Sequence, residues 1–264
     1  MDWHLWDFDL YSSIPLLTKV KALVQAFLRP FGLRLSRLTP PKQNYGTDVL
    51  LSALKRFGFS PRYIVDIGAN HGNWTRTALQ YFPAAEYILV EPQDHLRSHV
   101  QDLILSGFRI HWINAGVTER TGTLSFYISS RDDSSTFLPP NGSEAAKRLH
   151  EIKVNSKTLD QILAECNIPA PDMVKIDAEG VDLKVIQGAS RLIGKTDVFL
   201  IEAGVTCPFE NSAIRVINSM DELGYRLIDI CELNRSPKHD VLWLVELAFL
   251  RKESPLLNSA TSYE

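Results

Sequence analysis

Cysteine is scarce. Cys166, Cys207 and Cys231 are the only three in 264 residues. They form no C-x-x-C pair and no zinc spacing, which excludes a disulfide framework and a zinc finger. Their plain reading is reduced thiols in a cytoplasmic protein. No run of 18 apolar residues occurs, so no transmembrane helix is expected. The start, Met1-Asp2-Trp3-His4, lacks the basic residues of a signal peptide. Repeats and low-complexity tracts are also missing. The net charge is −3, so there is no global basic excess to bind nucleic acid. What remains is an ordinary globular composition, 45% hydrophobic and 22% charged, long enough for one α/β domain and an N-terminal extension.

The average charge hides an asymmetry. From Leu10 to Thr47 there are six basic residues (Lys19, Lys21, Arg29, Arg34, Arg37 and Lys42) and no acid. Residues 14–38 also place Leu16, Leu17, Val20, Leu23, Val24, Phe27 and Leu28 at helical spacing. Three readings of this segment stand: a helix packed over the domain, a membrane-surface helix suited to anionic lipid, or a dimer contact. Thr39-Pro40-Pro41 marks a boundary. The expected organisation is a helical extension over 1–45 and one domain over 46–264.

Within that domain, apolar runs alternate with helical patterns. Strands are expected near 63–67, 87–90, 110–114, 172–176, 197–201, 225–230 and 241–250. Helices are expected near 47–57, 73–81, 94–106, 158–165, 182–189 and 211–223. Alternation of this kind predicts a mostly parallel sheet with helices on both faces. The last two strands lack an intervening helix and should form an antiparallel hairpin. An extra strand over 124–128, with Ile152-Lys153-Val154 as partner, flanks a polar insertion over about 129–153. Such an insertion is often functional, and Ser134 and Ser135 in it could meet substrate hydroxyls.

The chemistry concentrates at strand ends. Tyr63-Ile64-Val65-Asp66-Ile67-Gly68-Ala69-Asn70-His71-Gly72 is a buried strand, an acid, and a glycine turn into a helix. Tyr87–Val90 ends in Glu91-Pro92, placed to hold two ribose hydroxyls. Met173-Val174-Lys175-Ile176-Asp177-Ala178-Glu179-Gly180 repeats the pattern. Asp66, Glu91, Asn114, Asp177 and Glu202 each follow an apolar strand and should converge on one rim. The pattern D-x-G-x-x-x-G differs from the dinucleotide G-x-G-x-x-G. Asn70 would crowd a pyrophosphate and Asp66 would repel it. A cationic methionine moiety suits these acids, which points to S-adenosylmethionine over NAD. His95 and His99, four apart, have a zinc-like spacing, but a solvated helix face explains them.

These motifs, V-D-I-G-A-N-x-G, V-E-P, N-A-G-V with T-G-x-L-x-F, S-K-T-L-D and K-I-D-A-E-G-x-D-L-x-V-I-x-G-A, resemble the FkbM family of S-adenosylmethionine-dependent methyltransferases over about Tyr63 to Glu202. The resemblance implies a class I methyltransferase Rossmann-like fold: a mostly parallel seven-stranded sheet with an antiparallel C-terminal hairpin. It implies methylation of a hydroxyl on a sugar, glycolipid precursor or secondary metabolite. Carried over by position, Asp66, Gly68, Asn70 and Gly72 line the methionine half of the cofactor. Glu91 holds the ribose, and Asn114 and Ala115 sit beside the adenine. Asp177 lies near the methyl group and is the first candidate for base, with Glu179 and Glu202 next. His71 and Trp74 are bulkier than usual there; they narrow the cofactor mouth or pack outward. Asp177 and Glu179 could hold magnesium, but no third ligand is evident and no metal is assigned. A domain that binds without turnover is the alternative of another class.

Overall fold

The computed structural model describes Pro30 and residues 45–129, 135–138, 149–207 and 210–260. The expected helix over 14–38, and with it the membrane and dimer readings, lies outside the described residues, as does Ser134. The described fold belongs to the unit Asn44–Glu264.

Among the described residues, ten strands form two sheets. The large sheet contains β1 (Tyr63–Ile67), β2 (Glu86–Val90), β3 (Arg109–Ile113), β7 (Met173–Ile176), β8 (Val198–Gly204), β9 (Tyr225–Arg235) and β10 (Leu242–Arg251). Their spatial order is β3-β2-β1-β7-β8-β10-β9. All run parallel except β10, which is antiparallel to both β8 and β9. The expected hairpin is therefore present, with its second strand inserted between β8 and β9. The order reverses between β1 and β7, and ligands bind outside the carboxyl ends of strands at such a reversal.

The central strands β1, β2, β7 and β8 are buried on both faces, which is why they read as unbroken apolar runs. One face is covered by α1 (Thr47–Arg56), α2 (Asn73–Tyr81), α3 (Gln101–Leu105) and α7 (Leu256–Ala260). Leu51, Leu54, Leu79, Leu103 and Leu257 pack there with Ile64, Leu89 and Leu200. The other face carries α4 (Leu159–Glu165), α5 (Asp182–Gln187) and α6 (Ala213–Glu222). Leu159, Val185, Val216 and Met220 pack there with Val65, Ile88, Val174 and Phe199.

The second sheet has the order β4-β6-β5, from β4 (Gly116–Val117), β5 (Gly122–Ser129) and β6 (Leu149–Lys157). The expected extra strand and its partner are these last two. They are longer than expected, pairing from Gly122↔Ser156 to Ser129↔Leu149, so residues 149–153 of the supposed irregular insertion are strand. The helix expected over 94–106 is a 3-10 helix over Asp94–Val100 followed by α3. Tighter winding takes His95 and His99 off a shared α-helical face. Helix α7 was not anticipated; Ser254-Pro255 is its start signal, since proline suits the first turn.

Candidate active site

One cavity of about 430 Å³ opens at the carboxyl rim of the large sheet, within the range of small-molecule sites. Its wall runs from Gly68, Glu91 and Ala115 past Asp177 to Thr47, Glu232 and Glu246. Asn70, Glu179, His71 and Trp74 also line it, and the His71 ring stacks on that of His99 with centroids 4.2 Å apart. Among the described residues, the Trp74 indole Nε1 has no hydrogen-bond partner.

The turn after β1 is set by its contacts. Gly68 has φ +73°, and a Cβ there would sit 1.9 Å from the Asp177 carbonyl oxygen. Its lack of a side chain thus serves the close approach of the β1 and β7 ends. Gly72 has φ +76°, and its Cβ would meet Val100 Cγ1 at 2.6 Å. It lies behind the cavity wall and serves packing. Asn70 holds a left-handed conformation, φ +47°, and its Oδ1 accepts from the His71 N–H at 2.7 Å.

Glu91 is buried at the end of β2. Its Oε2 accepts from the Asn70 N–H at 3.0 Å and its Oε1 from the Gln93 N–H at 3.0 Å. Burial pushes its carboxyl upward, and these N–H groups oppose that shift. Gln93 is 3% exposed, donates to Glu91 Oε1 from Nε2 at 3.3 Å, and leaves its own Oε1 without a partner among the described residues. Asn114 does not line the cavity. It is exposed and donates to the Glu91 and Pro92 carbonyls, tying the ends of β2 and β3 together. Ala115 is buried and does line it.

Asp66 does not reach the cavity either. It is 0% exposed and accepts from Thr75 Oγ1 at 2.6 Å. Burial drives its carboxyl up, while Lys175 and Thr75 pull it down. Lys175, one register pair away on β7, is 5% exposed. Its Nζ donates to Asp177 Oδ2 at 2.9 Å and lies 3.8 Å from Asp66 Oδ1. Burial opposes its charge, but Asp177, Asp66 and Glu246 outweigh it and hold the ammonium well above the usual lysine range. A fixed ammonium thus stands against Asp177. No group of three metal-ligating side chains occurs among the described residues.

Asp177 and Glu179 both line the cavity, on a loop held by Asp182. The Asp182 carboxylate accepts from Ala178 N–H at 2.8 Å, Gly180 N–H at 3.1 Å and Asn211 Nδ2 at 2.6 Å. Burial pushes it up to about 7. Glu179 is left-handed, φ +51°, and its carbonyl accepts from Thr136 Oγ1 at 2.7 Å. That bond brings residues 135–138 of the insertion over the rim. Ser135 lines the cavity, as does Phe137, whose ring lies where a Cβ on Gly116 would be. Glu202 is not part of the wall. Its Oε2 has no hydrogen-bond partner among the described residues. Burial, then Asp177, Glu179 and Asp182, raise its carboxyl well above the ordinary range.

Sequence reasoning missed Lys175, Asp182, Gln93, Thr47, Glu232 and Glu246. Two of these had a visible signal. Lys175 interrupts M-V-K-I and Glu246 interrupts L-V-E-L-A-F, and a charge inside a buried strand needs a partner. Glu246 is 7% exposed, and burial, opposed by Lys175 and reinforced by Glu232 and Asp177, pushes it up to about 8.

A mostly parallel sheet in the order above, with a cavity at its carboxyl rim lined by Glu91 and Asp177, defines the class I methyltransferase architecture. The methyltransferase FkbM domain model matches residues 66–227, more than half of the chain. The chain belongs to that family, which places its domain among the S-adenosylmethionine-dependent methyltransferases. It is 24% identical over 144 residues to the 2-O-methyltransferase NoeI of Sinorhizobium fredii. The match covers 50% of this chain and 59% of that relative, less than two thirds of its length. Among solved structures, precorrin-6y C5,15-methyltransferase from Geobacter metallireducens superposes with a TM-score of 0.45 at 11% identity, covering 83% of this chain and 94% of the other. A Burkholderia thailandensis 1,6-didemethyltoxoflavin-N1-methyltransferase holding S-adenosylhomocysteine gives 0.41 at 11% identity, covering 94% of each. Likeness at this level says nothing of what the chain acts on.

Proposed function

We propose that this protein transfers the methyl group of S-adenosylmethionine to a hydroxyl of a glycan, glycolipid precursor or other small hydroxylated molecule. The observation that carries the reading is the single cavity running along the carboxyl rim from Glu91 to Asp177 and onward to Glu246. Glu91 fits a ribose. A carboxylate offers about four lone-pair positions, and backbone N–H groups take two, which leaves two for a vicinal diol. The Gln93 side chain, at 3.3 Å the weakest of its contacts, is the one to yield. The unpartnered Gln93 Oε1 adds a buried acceptor for a donor on the ligand.

The far wall suits a cation. Asp177, Glu179 and Glu232 face the cavity against the single ammonium of Lys175. A sulfonium and an α-ammonium are attracted there, whereas a pyrophosphate would meet acids and, among the described residues, no arginine in the wall. Asp66 acts through Lys175 and Thr75 in this reading, holding the floor of the site from behind. Asn70, Gly68 and Ala115 shape the cofactor's bed, and Asp177 and Glu179 flank the methyl group. Methyl transfer is an in-line displacement, so positioning of the acceptor oxygen supplies much of the acceleration. The hydroxyl acceptor is favoured by the likeness to a 2-O-methyltransferase.

The test is calorimetric titration with S-adenosylhomocysteine and, separately, NAD, on wild type and Glu91→Gln. S-adenosylhomocysteine should bind, at least tenfold more weakly in the variant, and NAD should not. Preference for NAD, or no binding of either, would overturn the reading. Trapping of methyl label on glycan pools by wild type but not Asp177→Ala then separates an enzyme from a binding module.

A further inference from the structure

Resting on that proposed function, we infer that Glu246, Thr47 and Glu232 form a proton exit at the acceptor end of the cavity, with Glu246 receiving the proton of the methylated hydroxyl. The placement follows from sheet geometry. Adjacent strands lie about 4.8 Å apart. Glu91, on β2, is two strands from Asp177, which follows β7. That distance, about 10 Å, suits the span from a ribose to a sulfonium. Glu246 on β10 lies two strands beyond β7, and Glu232 on β9 is its register partner. These groups therefore border the part of the cavity past the methyl group, where the acceptor oxygen must sit.

The three side chains are joined. Thr47 Oγ1 is 3.2 Å from Glu246 Oε1 and 3.1 Å from Glu232 Oε1. A hydroxyl has one proton and can donate to only one of them. Both contacts are hydrogen bonds at once when the buried carboxyl of Glu246 is protonated and donates to Thr47 Oγ1, while Thr47 donates to Glu232. Glu246 and Thr47 are buried and Glu232 is exposed, so the chain runs from the cavity to water. The charged groups around Glu246 are Lys175 and Asp177 from β7 and its loop, Glu232 from β9, and Glu202, its register partner on β8.

The Asp177 carboxylate is already engaged by the Lys175 ammonium. In the transfer step the acceptor oxygen bonds to the methyl carbon. The carbon–sulfur bond breaks with its electron pair left on sulfur. Glu246 first gives up its own proton through Thr47 and Glu232 to solvent, and the carboxylate so formed then takes the hydroxyl proton. An acid of this kind, burdened by burial up to about 8, is well matched to an operating pH near neutrality.

The arrangement can be tested without knowing the acceptor. S-adenosylmethionine and S-adenosylhomocysteine carry the same ammonium and carboxylate and differ in the sulfonium charge. A sulfonium placed near Glu246 favours its ionised form, so S-adenosylmethionine should release more protons on binding. Titration calorimetry at pH 7.5 in phosphate and in Tris, whose ionisation heats differ, counts them. The expected difference between the two ligands is about half a proton per site. Glu246→Gln should abolish the difference while both ligands still bind, and Thr47→Val should reduce it. Equal proton release by both ligands, or a difference that survives in Glu246→Gln, would overturn the inference and leave the proposed function standing. Failure of wild type to bind either ligand would overturn both.

Discussion

Replacing Lys175 with Met removes the one cation that, among the described residues, compensates Asp66 and Asp177. Asp66 is fully buried, and its remaining side-chain partner is the neutral Thr75 hydroxyl. Breaking a buried pair by deleting one member costs about 3–5 kcal/mol, because a charge is left without compensation. At pH 8 the variant should lose about that much. The loss has a definite pH dependence. Without Lys175, burial and Asp177 push Asp66 up against the Thr75 hydrogen bond alone, and its folded-state pKa rises further above the unfolded value of about 3.9. Such a group stabilises the fold most below its unfolded pKa and loses that contribution as pH rises through the folded one. At pH 5 Asp66 can take up a proton at a cost of about 1.5 kcal/mol, roughly 1.4 per pH unit above 3.9. The penalty of the substitution should therefore shrink from about 3–5 kcal/mol at pH 8 to about 1–2 at pH 5. Urea unfolding of both proteins at pH 5, 6.5 and 8 reads this directly. A loss below about 1 kcal/mol at pH 8, or one that does not change with pH, would refute the view that Lys175 is there for charge compensation.

Gly68→Ala should cost more than about 3 kcal/mol and destroy S-adenosylhomocysteine binding, since its Cβ would lie 1.9 Å from the Asp177 carbonyl and φ is +73°; thermal melts and calorimetry check it. Gly72→Ala should lower the melting temperature yet keep ligand affinity, and Val100→Ala should recover part of the loss by removing the methyl that a Cβ would meet at 2.6 Å. Glu246→Gln should match wild type in stability at pH 5 and exceed it at pH 8.5 by up to about 4 kcal/mol. A carboxyl raised to about 8 resists ionisation, so wild type loses stability as pH climbs toward and through that value while the amide does not. Equal urea midpoints at pH 8.5 would contradict this. Asp182→Ala should cost about 2–4 kcal/mol by freeing two buried N–H groups and Asn211 Nδ2, and should weaken any methyl transfer more than S-adenosylhomocysteine binding.

The Glu91 end of the cavity was legible because its parts are local. Strand, turn and helix from Tyr63 to Tyr81 are contiguous, and Glu91 follows its strand directly, so short-range pattern alone placed Gly68, Asn70 and Glu91 at the rim. Asp66 and Asn114 show where that reasoning stops. Both follow the strand-end pattern, but which way a side chain faces depends on strand parity and on what packs behind. Asp66 lies one residue short of the strand's end, on the face covered by α1 and α2, and its register partner is Lys175. Asn114 sits beyond the edge strand β3, where its amide is used on backbone carbonyls.

The Glu246 end of the cavity could not be assembled from local pattern. Thr47 and the pair Glu232 and Glu246 lie 185 and 199 residues apart in sequence, and they meet only because β10 inserts between β8 and β9. Had the last strand simply been added at the edge, Glu246 would not have stood between Glu202 and Glu232. The clue within the sequence was nonetheless physical. Asp66, Lys175 and Glu246 each interrupt an apolar strand, and a single charge in such a place cannot be stable alone. Three interruptions of mixed sign in three strands demand one another as partners, and the sheet order supplies the arrangement: β1 beside β7, and β10 two strands on. Their mutual compensation predicts coupling. The double variant Lys175→Met with Glu246→Gln should lose less stability at pH 8 than the sum of the single effects by more than about 0.5 kcal/mol, the limit within which independent sites add. Strict additivity in that cycle would mean that Lys175 answers to Asp66 and Asp177 alone, and that the far carboxyl is held by Thr47 without help from the ammonium.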